Sequence, residues 1–238
     1  MKTDDLDIVY FVKDSFTNEE LRLSLRSVDR NMPHKRVWVF GGCPRDIVPD
    51  VRVRVEQEGR TKWDKVHNMY KMVAENKEIT DNFILFNDDF FVMKPTDRID
   101  TLYRCSLEEY INMIEKKNHG KPNGYTKILR ECRKKLTELG KDQLCYELHT
   151  PFIFNKEKLL KLLNDYPEQH CTRTLYGNLY NIGGEKHNDV KIFDTKPTFD
   201  YKNSCFISTD DSIVNVNNDI WRYFRKELNK RSQYETVV

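Results

Sequence analysis

Apolar residues along the first hundred positions follow two rhythms. Asp7-Ile8-Val9-Tyr10-Phe11-Val12 is a near-continuous β-branched and aromatic run. It predicts a strand buried on both faces. Lys13-Asp14-Ser15 ends it. From Asn18 to Asn31 the spacing lengthens: Leu21, Leu25 and Val28 recur at four and three, which predicts a helix. Thr17, with Glu20 three residues on, is its expected N-cap, and Pro33 closes the helical region. Arg36-Val37-Trp38-Val39-Phe40 predicts a second buried strand, ended by Gly41-Gly42. Val51-Arg52-Val53-Arg54-Val55 alternates, as a half-exposed strand does. A second helix is expected from Trp63 to Asn76, with Val66, Met69, Tyr70 and Val73 on one stripe. Asn82-Phe83-Ile84-Leu85-Phe86 is a third buried strand, and it runs directly into Asn87-Asp88-Asp89.

Strands alternating with helices at this pitch predict an α/β fold. Ligands of such sheets bind beyond the carboxyl ends of the strands. Lys13-Asp14, Gly41-Gly42-Cys43 and Asn87-Asp88-Asp89 follow such ends and are expected to line one crevice. The texture changes between Ser106 and Leu148: Glu115 to Lys141 carries nine Lys or Arg against three Glu, a formal +6, around Gly120, Pro122 and Gly124. This reads as a basic helix–loop–helix insertion, either a solvated hairpin or a surface for a polyanion or membrane. Residues 149–238 form the second half of a single domain, ending in a basic helix from Asp219 to Lys230 on Ile220, Tyr223, Phe224 and Leu228. No repeats or low-complexity tracts interrupt the chain.

Length and charge narrow the class. The 238 residues are enough for a core without staples. Aromatics at 12% argue against disorder despite 33% charged residues. No apolar run approaches the ~20 residues of a membrane span. The N-terminal residues hold no apolar secretory core. A net charge of +2 excludes a globally basic nucleic-acid coat. None of the six cysteines forms a C-x-x-C pair, so they read as free thiols of a cytoplasmic protein.

The adjacent acids Asp88 and Asp89 sit between Phe86 and Phe90-Phe91. Carboxylates among apolar runs are costly unless paired or bound to a cation, and hard dications take oxygen ligands. A strand-end turn is the competing reading. Arg22 and Arg26, four apart, suit a phosphate clamp, a brace for the acidic loop or a solvated face. The segment from Thr172 to His187 is rich in Gly, Asn and aromatics and reads either as a loop folding over substrate, where Arg173 and Lys186 could neutralise a diphosphate, or as a decorated surface loop. Asp210-Asp211, after Phe206-Ile207, offers a metal ligand, an acceptor-side base at Asp211, or a helix cap. There is no dinucleotide fingerprint, Walker lysine or nucleophile elbow.

Three segments resemble the Stealth family of sugar-phosphate transferases: Asp7-Ile8-Val9-Tyr10, Glu20-Leu21-Arg22-Leu23-Ser24-Leu25-Arg26-Ser27, and Phe83-Ile84-Leu85-Phe86-Asn87-Asp88-Asp89-Phe90-Phe91. The family shows "D-V-V-Y", "E-L-R-Y-S-L-R-S" and "F-N-D-D-V-F" in this order. Glu147-Leu148-His149-Thr150-Pro151-Phe152 resembles its later "H-x-P" block. Phe11-Val12-Lys13-Asp14-Ser15 departs from the family's "T-W-V-D-G", and Arg60-Thr61-Lys62-Trp63-Asp64 stands where "L-P-T-F-N-S" is usual.

The resemblance implies a GT-A-like (Rossmann-like) mixed sheet flanked by helices, with the basic helical insertion added. It implies Mn²⁺ or Mg²⁺ on Asp88 and Asp89, with Asn87 in support. His149 would complete the metal shell or act as acid or base, with a structural histidine beside the Pro151 turn as the competing reading. Lys62, Lys65 and Asn68 would occupy the donor block, and Asp7 and Asp14 the nucleoside region, with simple strand-end capping the competing reading for the two acids. The expected activity is divalent-metal-dependent glycosyl transfer from a nucleotide sugar, most simply a UDP-sugar, to a hydroxyl of a glycan. Stealth-type transfer of a sugar-1-phosphate is the alternative. A hydroxymethylated DNA acceptor and a non-catalytic glycan-binding module are further readings. A homo-oligomer is compatible with the insertion as a contact.

Overall fold

The computed structural model describes residues 1–13, 15, 17–56, 61–193, 197, 199–214 and 218–236. The expectation for Asp14 therefore lies outside the described residues. The main sheet has β1 (Asp7–Val12), β2 (Val37–Gly41), β3 (Val51–Val53), β4 (Asn82–Asn87) and, after a short β5 (Phe90–Val92) and β6 (Leu102–Tyr103), β7 (Phe152–Asn155). Its order is β3-β2-β1-β4-β7. The first four strands run parallel, and β7 adds antiparallel, with Leu85 opposite Phe152. All six residues of β1 are buried, as a central parallel strand requires.

Alternate residues of each strand feed two cores. Val9, Phe11, Trp38, Phe40, Phe83 and Leu85 face one side. There they meet α2 (Lys62–Glu75), α3 (Leu107–Lys117), α4 (Gly124–Glu138), α5 (Lys156–Asp165) and α6 (Thr172–Leu179). Ile8, Tyr10, Val12, Ile84 and Phe86 face the other side, against Leu21, Leu25 and Val28 of α1 (Glu19–Asn31). A smaller sheet of β5, β10 (Phe206–Thr209) and β9 (Lys191–Ile192) packs on α7 (Asp219–Glu227), and β8 (Glu185–Lys186) pairs with β6.

Local chemistry sets the helix starts. Asn18, one residue beyond the expected Thr17, caps α1 by accepting from Leu21 N at 2.8 Å. Thr61–Asp64 and Ser106–Glu109 form reciprocal capping boxes for α2 and α3. The insertion is the expected helical hairpin. Its basic excess is partly neutralised at home by Arg130–Glu115, Arg133–Glu108 and Lys135–Glu138.

The first half of the segment expected to be a substrate loop is instead helix α6, Thr172–Leu179, followed by a turn and β8. Gly177 is required there by packing, because a Cβ would lie 2.4 Å from the Tyr146 ring. Asp210, the other open reading, caps a 3₁₀ turn through Ser212 N. Among the described residues, no helix is long and apolar enough to cross a membrane.

Candidate active site

The serines of α1 build the platform for the acidic turn. Ser24 Oγ bonds Tyr10 Oη at 2.9 Å and donates to Phe90 O. Val92 N donates to Ser27 Oγ at 2.9 Å, and Asn31 Nδ2 to Val92 O at 2.6 Å. These bonds satisfy the backbone of β5, so the turn Asn87–Asp89 is held between two rigid strands. Asn18 closes the arrangement: its Oδ1 caps α1 while its Nδ2 donates to Asp88 Oδ2 at 2.6 Å.

Two cavities meet at this turn, and Lys13 and Asp88 line both. The first, about 820 Å³, opens over the carboxyl ends of β1 and β4. Phe11, Tyr70 and Leu85 form its floor, and Trp63 and Tyr125 one wall. These two rings stack at 5.5 Å with 11° between planes, and Tyr110 meets Tyr125 edge-on. Lys62 lies 4.4 Å over the Trp63 ring, with Lys65 beside it on the same wall. Arg173 and His149 close the far side. The second cavity, about 870 Å³, is acidic: Glu19, Glu20, Asp46, Asp88, Asp89 and Asp211 line it with Lys13 and Arg22.

The acids at the junction repel one another. Burial raises the proton affinity of Asp88, the Asn18 hydrogen bond opposes this, and the Asp89 charge adds to the rise. Glu20 accepts from Thr209 Oγ1 at 2.8 Å, yet burial and the charges of Asp88, Asp89 and Asp211 push it up to about 7. Asp89 is already matched, by Lys191 Nζ at 3.0 Å and Ser208 Oγ at 2.7 Å.

Among the described residues, no three His, Cys, Asp or Glu side chains are grouped to hold a metal ion. The expected trio is not assembled: His149 lines only the first cavity and Asp89 only the second. Asp88 and Asp211 both line the second cavity, and carboxylate oxygens are the kind of donor a hard dication takes alongside water and substrate oxygens.

His149 is held from behind. Its Nδ1 lies 2.8 Å from Asp189 Oδ2, and its backbone N donates to Asp189 Oδ1 at 3.0 Å. Arg104 also bonds Asp189 and reaches Glu147 O at 3.2 Å. Burial works against the Asp189 charge, but the hydrogen bond from His149 and the charges of His149 and Arg104 outweigh it. Its carboxyl stays well below the usual range. Arg173, 7% exposed, donates to Leu148 O at 2.8 Å and Thr150 O at 2.9 Å, the carbonyls on either side of His149. It therefore braces the histidine while its guanidinium edges the cavity. Asp189 and Arg104 have no motif around them and were not among the sequence candidates.

Other expected site residues are elsewhere. Asp7 lies at the opposite end of β1, fully buried, accepting from Arg36 at 2.9 and 3.1 Å and from Thr80 N at 3.0 Å. A buried carboxylate needs that pairing, so it anchors the fold rather than a nucleoside. Arg22 and Arg26 clamp Glu235 of the C-terminal segment at 3.2 and 2.7 Å, so they brace the tail, although Arg22 also lines the acidic cavity. Lys186 is exposed on β8, outside both cavities. Asn68 lies on the exposed side of α2, also away from the lining. Lys62, Asp88, His149 and Arg173 do come together around the first cavity, and Asp211 joins Asp88 and Asp89 in the second.

No protein-family model matches the chain, and no curated protein matches it by sequence. Solved structures do resemble it in shape. A galactosyltransferase, LgtC, in complex with donor and acceptor sugar analogs is 13% identical over 98% of this chain and 97% of its own, with a TM-score of 0.50. An active-site mutant of LgtC is 10% identical over 96% and 98%, with a TM-score of 0.49. The apo-form glycosyltransferase GlyE of Streptococcus pneumoniae TIGR4 is 10% identical over 97% of this chain and 66% of its own, with a TM-score of 0.47. The mixed sheet, its flanking helices and the placement of the cavity at the strand ends give this chain the fold of the GT-A glycosyltransferases.

Proposed function

We propose that this chain is a glycosyltransferase that moves a sugar from a nucleotide-sugar donor to a hydroxyl acceptor. The observation that carries the reading is the Asp88–Asp89 turn. It is fixed at the end of β4, between an aromatic and lysine-walled cavity and an acidic one, with His149 facing the first. A nucleoside diphosphate sugar needs an aromatic surface for its rings and positive charge for its phosphates. Trp63, Tyr125, Lys13, Lys62 and Lys65 offer both. LgtC, of the same fold, is a galactosyltransferase seen with donor and acceptor analogs.

The reacting groups are assigned as follows. The acceptor hydroxyl gives its proton to His149, and its oxygen bonds the anomeric carbon. The bond from that carbon to the diphosphate breaks, and the nucleoside diphosphate leaves with the electron pair. Lys13, Lys62 and Lys65 offset the charge that develops on it. Asp88 and Asp211 would hold Mn²⁺ or Mg²⁺, which when bound supplies further positive charge at the diphosphate.

One observation favours the sugar-1-phosphate alternative. The two segments most like the Stealth family pack against each other, through Ser24–Phe90. There the acceptor oxygen would attack the β-phosphorus and release a nucleoside monophosphate. Incubation with UDP-, GDP-, ADP-, CMP- and dTDP-sugars and a mixed glycan acceptor pool tests both. Release of nucleoside diphosphate with a glycosylated product supports the main reading, and nucleoside monophosphate with a phosphodiester product supports the alternative. No acceptor-dependent nucleotide release from any donor would overturn both.

A further inference from the structure

We infer that Asp189 is the positioning residue of this site: it fixes His149 in the one tautomer and orientation that present a proton-accepting Nε2 to the cavity. The inference rests on the transferase reading for its role in catalysis, but the orientation itself stands on geometry.

An imidazole can accept a proton at one nitrogen only if the other carries its hydrogen. Asp189 Oδ2 lies 2.8 Å from His149 Nδ1 and takes that hydrogen. Asp189 Oδ1 accepts the backbone N–H groups of His149 and Val190, each at 3.0 Å. The carboxylate therefore grips ring and backbone of the same residue, which leaves the ring little freedom to turn over. Phe90 and Phe193 meet the ring edge-on at 6.5 and 6.1 Å and restrict it further.

Arg104 holds the same carboxylate oxygen that faces the His149 ring. Its guanidinium bonds Asp189 and lies 4.4 Å over the Tyr110 ring, on the insertion that walls the cavity. The Asp189 and Arg104 side chains are 11% and 14% exposed, so the pair is shielded from screening by solvent. Buried ion pairs bring little net stability against apolar replacements of equal volume. A triad of Arg104, Asp189 and His149, drawn from three distant segments, accounts for that pair as an orienting device. Among the described residues, the charged groups around the histidine include Arg173, which brackets its backbone, Asp210, which feels its charge, and Asp88 and Glu147, which line the same cavity.

The test has a spectroscopic arm and a kinetic arm. Nitrogen-15 NMR of the full chain labelled at histidine, assigned with H149Q, reports which ring nitrogen carries hydrogen above pH 8. The expected result is the Nδ1–H tautomer in the wild-type chain, and loss of that fixed tautomer in D189N. In the kinetic arm, D189N should lower kcat by about 10²-fold while leaving the donor KM within about twofold. The limb of the kcat profile that reports the base should move, and D189E should restore part of the rate.

A wild-type His149 found as the Nε2–H tautomer overturns the proposal, even if D189N fails to fold. So does a D189N variant with wild-type kcat and pH profile. If the tautomer is as expected while no donor is turned over, the orientation stands and the transferase reading fails. The two failures are thereby distinguishable.

Discussion

The two ends of the central sheet hold carboxylates that are treated in opposite ways. At the amino end of β1, Asp7 is wholly buried and fully matched by Arg36 and Thr80. At the carboxyl end, Asp88, Asp89, Glu20 and Asp211 crowd together around a cavity, and Lys191 and Asn18 answer only part of their charge. Burial, added to by the charges of Asp88, Asp89 and Asp211, keeps the proton on Glu20 to about pH 7. A charge matched in place stabilises a fold. Charges left in excess at a strand end store a demand for a ligand, and active sites are where such shifted groups gather.

Substitutions at the two ends should separate these roles. The largest effect is expected from H149A, which should lower turnover by about 10²–10⁴-fold while leaving the melting temperature within a few degrees. Steady-state kinetics with matched thermal melts would show it. The opposite end should do the reverse. D7A strands Arg36 and removes the acceptor of Thr80 N, costing about 3–5 kcal/mol of stability. Urea melts should record this, with donor affinity per folded molecule unchanged.

An intermediate case is Glu235, whose side chain is 3% exposed and joins Arg22, Arg26 and the tail. Burial opposes its charge, but the bonds from Arg26, Ser232 and Arg22 hold its pKa down to about 2. Its folded pKa is depressed, so its contribution is present above the ordinary carboxylate pKa and is lost as pH falls from about 4.5 toward about 2. E235Q should cost about 2 kcal/mol at pH 7 and flatten that acid limb in denaturant melts.

The last effect, opposite in sign, is at Glu20. Its raised folded pKa means that the folded chain keeps a proton the unfolded chain has lost. Stability should therefore fall as pH rises from 4.5 to about 7 and level off above. With EDTA present, E20Q should abolish that fall and leave the variant more stable than wild type at pH 8. An unchanged slope would mean that the acidic end is no more crowded than the Asp7 end.

How much of this was readable in the chain follows from how local each signal is. β1, β2 and β4 are uninterrupted apolar runs, and α1 and α2 carry clean apolar stripes, so their periodicity alone placed them. The Asp88–Asp89 turn was visible because acids stand out between phenylalanines. β7 was missed because four residues after Pro151 give too short a pattern, and its pairing with β4 is a tertiary fact. α6 was missed because Gly177 and Asn178 read as loop, although Gly177 is there to admit the Tyr146 ring and Asn178 binds Leu144 from both its amide ends. Arg22 and Arg26 share a helix face as their spacing required, but the partner that defines their role, Glu235, lies more than 200 residues away. Asp189 carries no local mark at all: it meets His149 across 40 residues and Arg104 across 85.

The central claim is that the cavity at the carboxyl ends of β1 and β4 receives a nucleotide sugar. Titration calorimetry tests it most directly, with UDP-, GDP-, ADP-, CMP- and dTDP-sugars added in turn to the wild-type chain, W63A, D88N and D7N, with Mn²⁺ and again with EDTA. The account predicts saturable binding of at least one donor to the wild type, weakened about tenfold or more in W63A and D88N and unchanged in D7N. Binding to D88N and W63A as tight as to the wild type, or no binding of any donor in either condition, would contradict it.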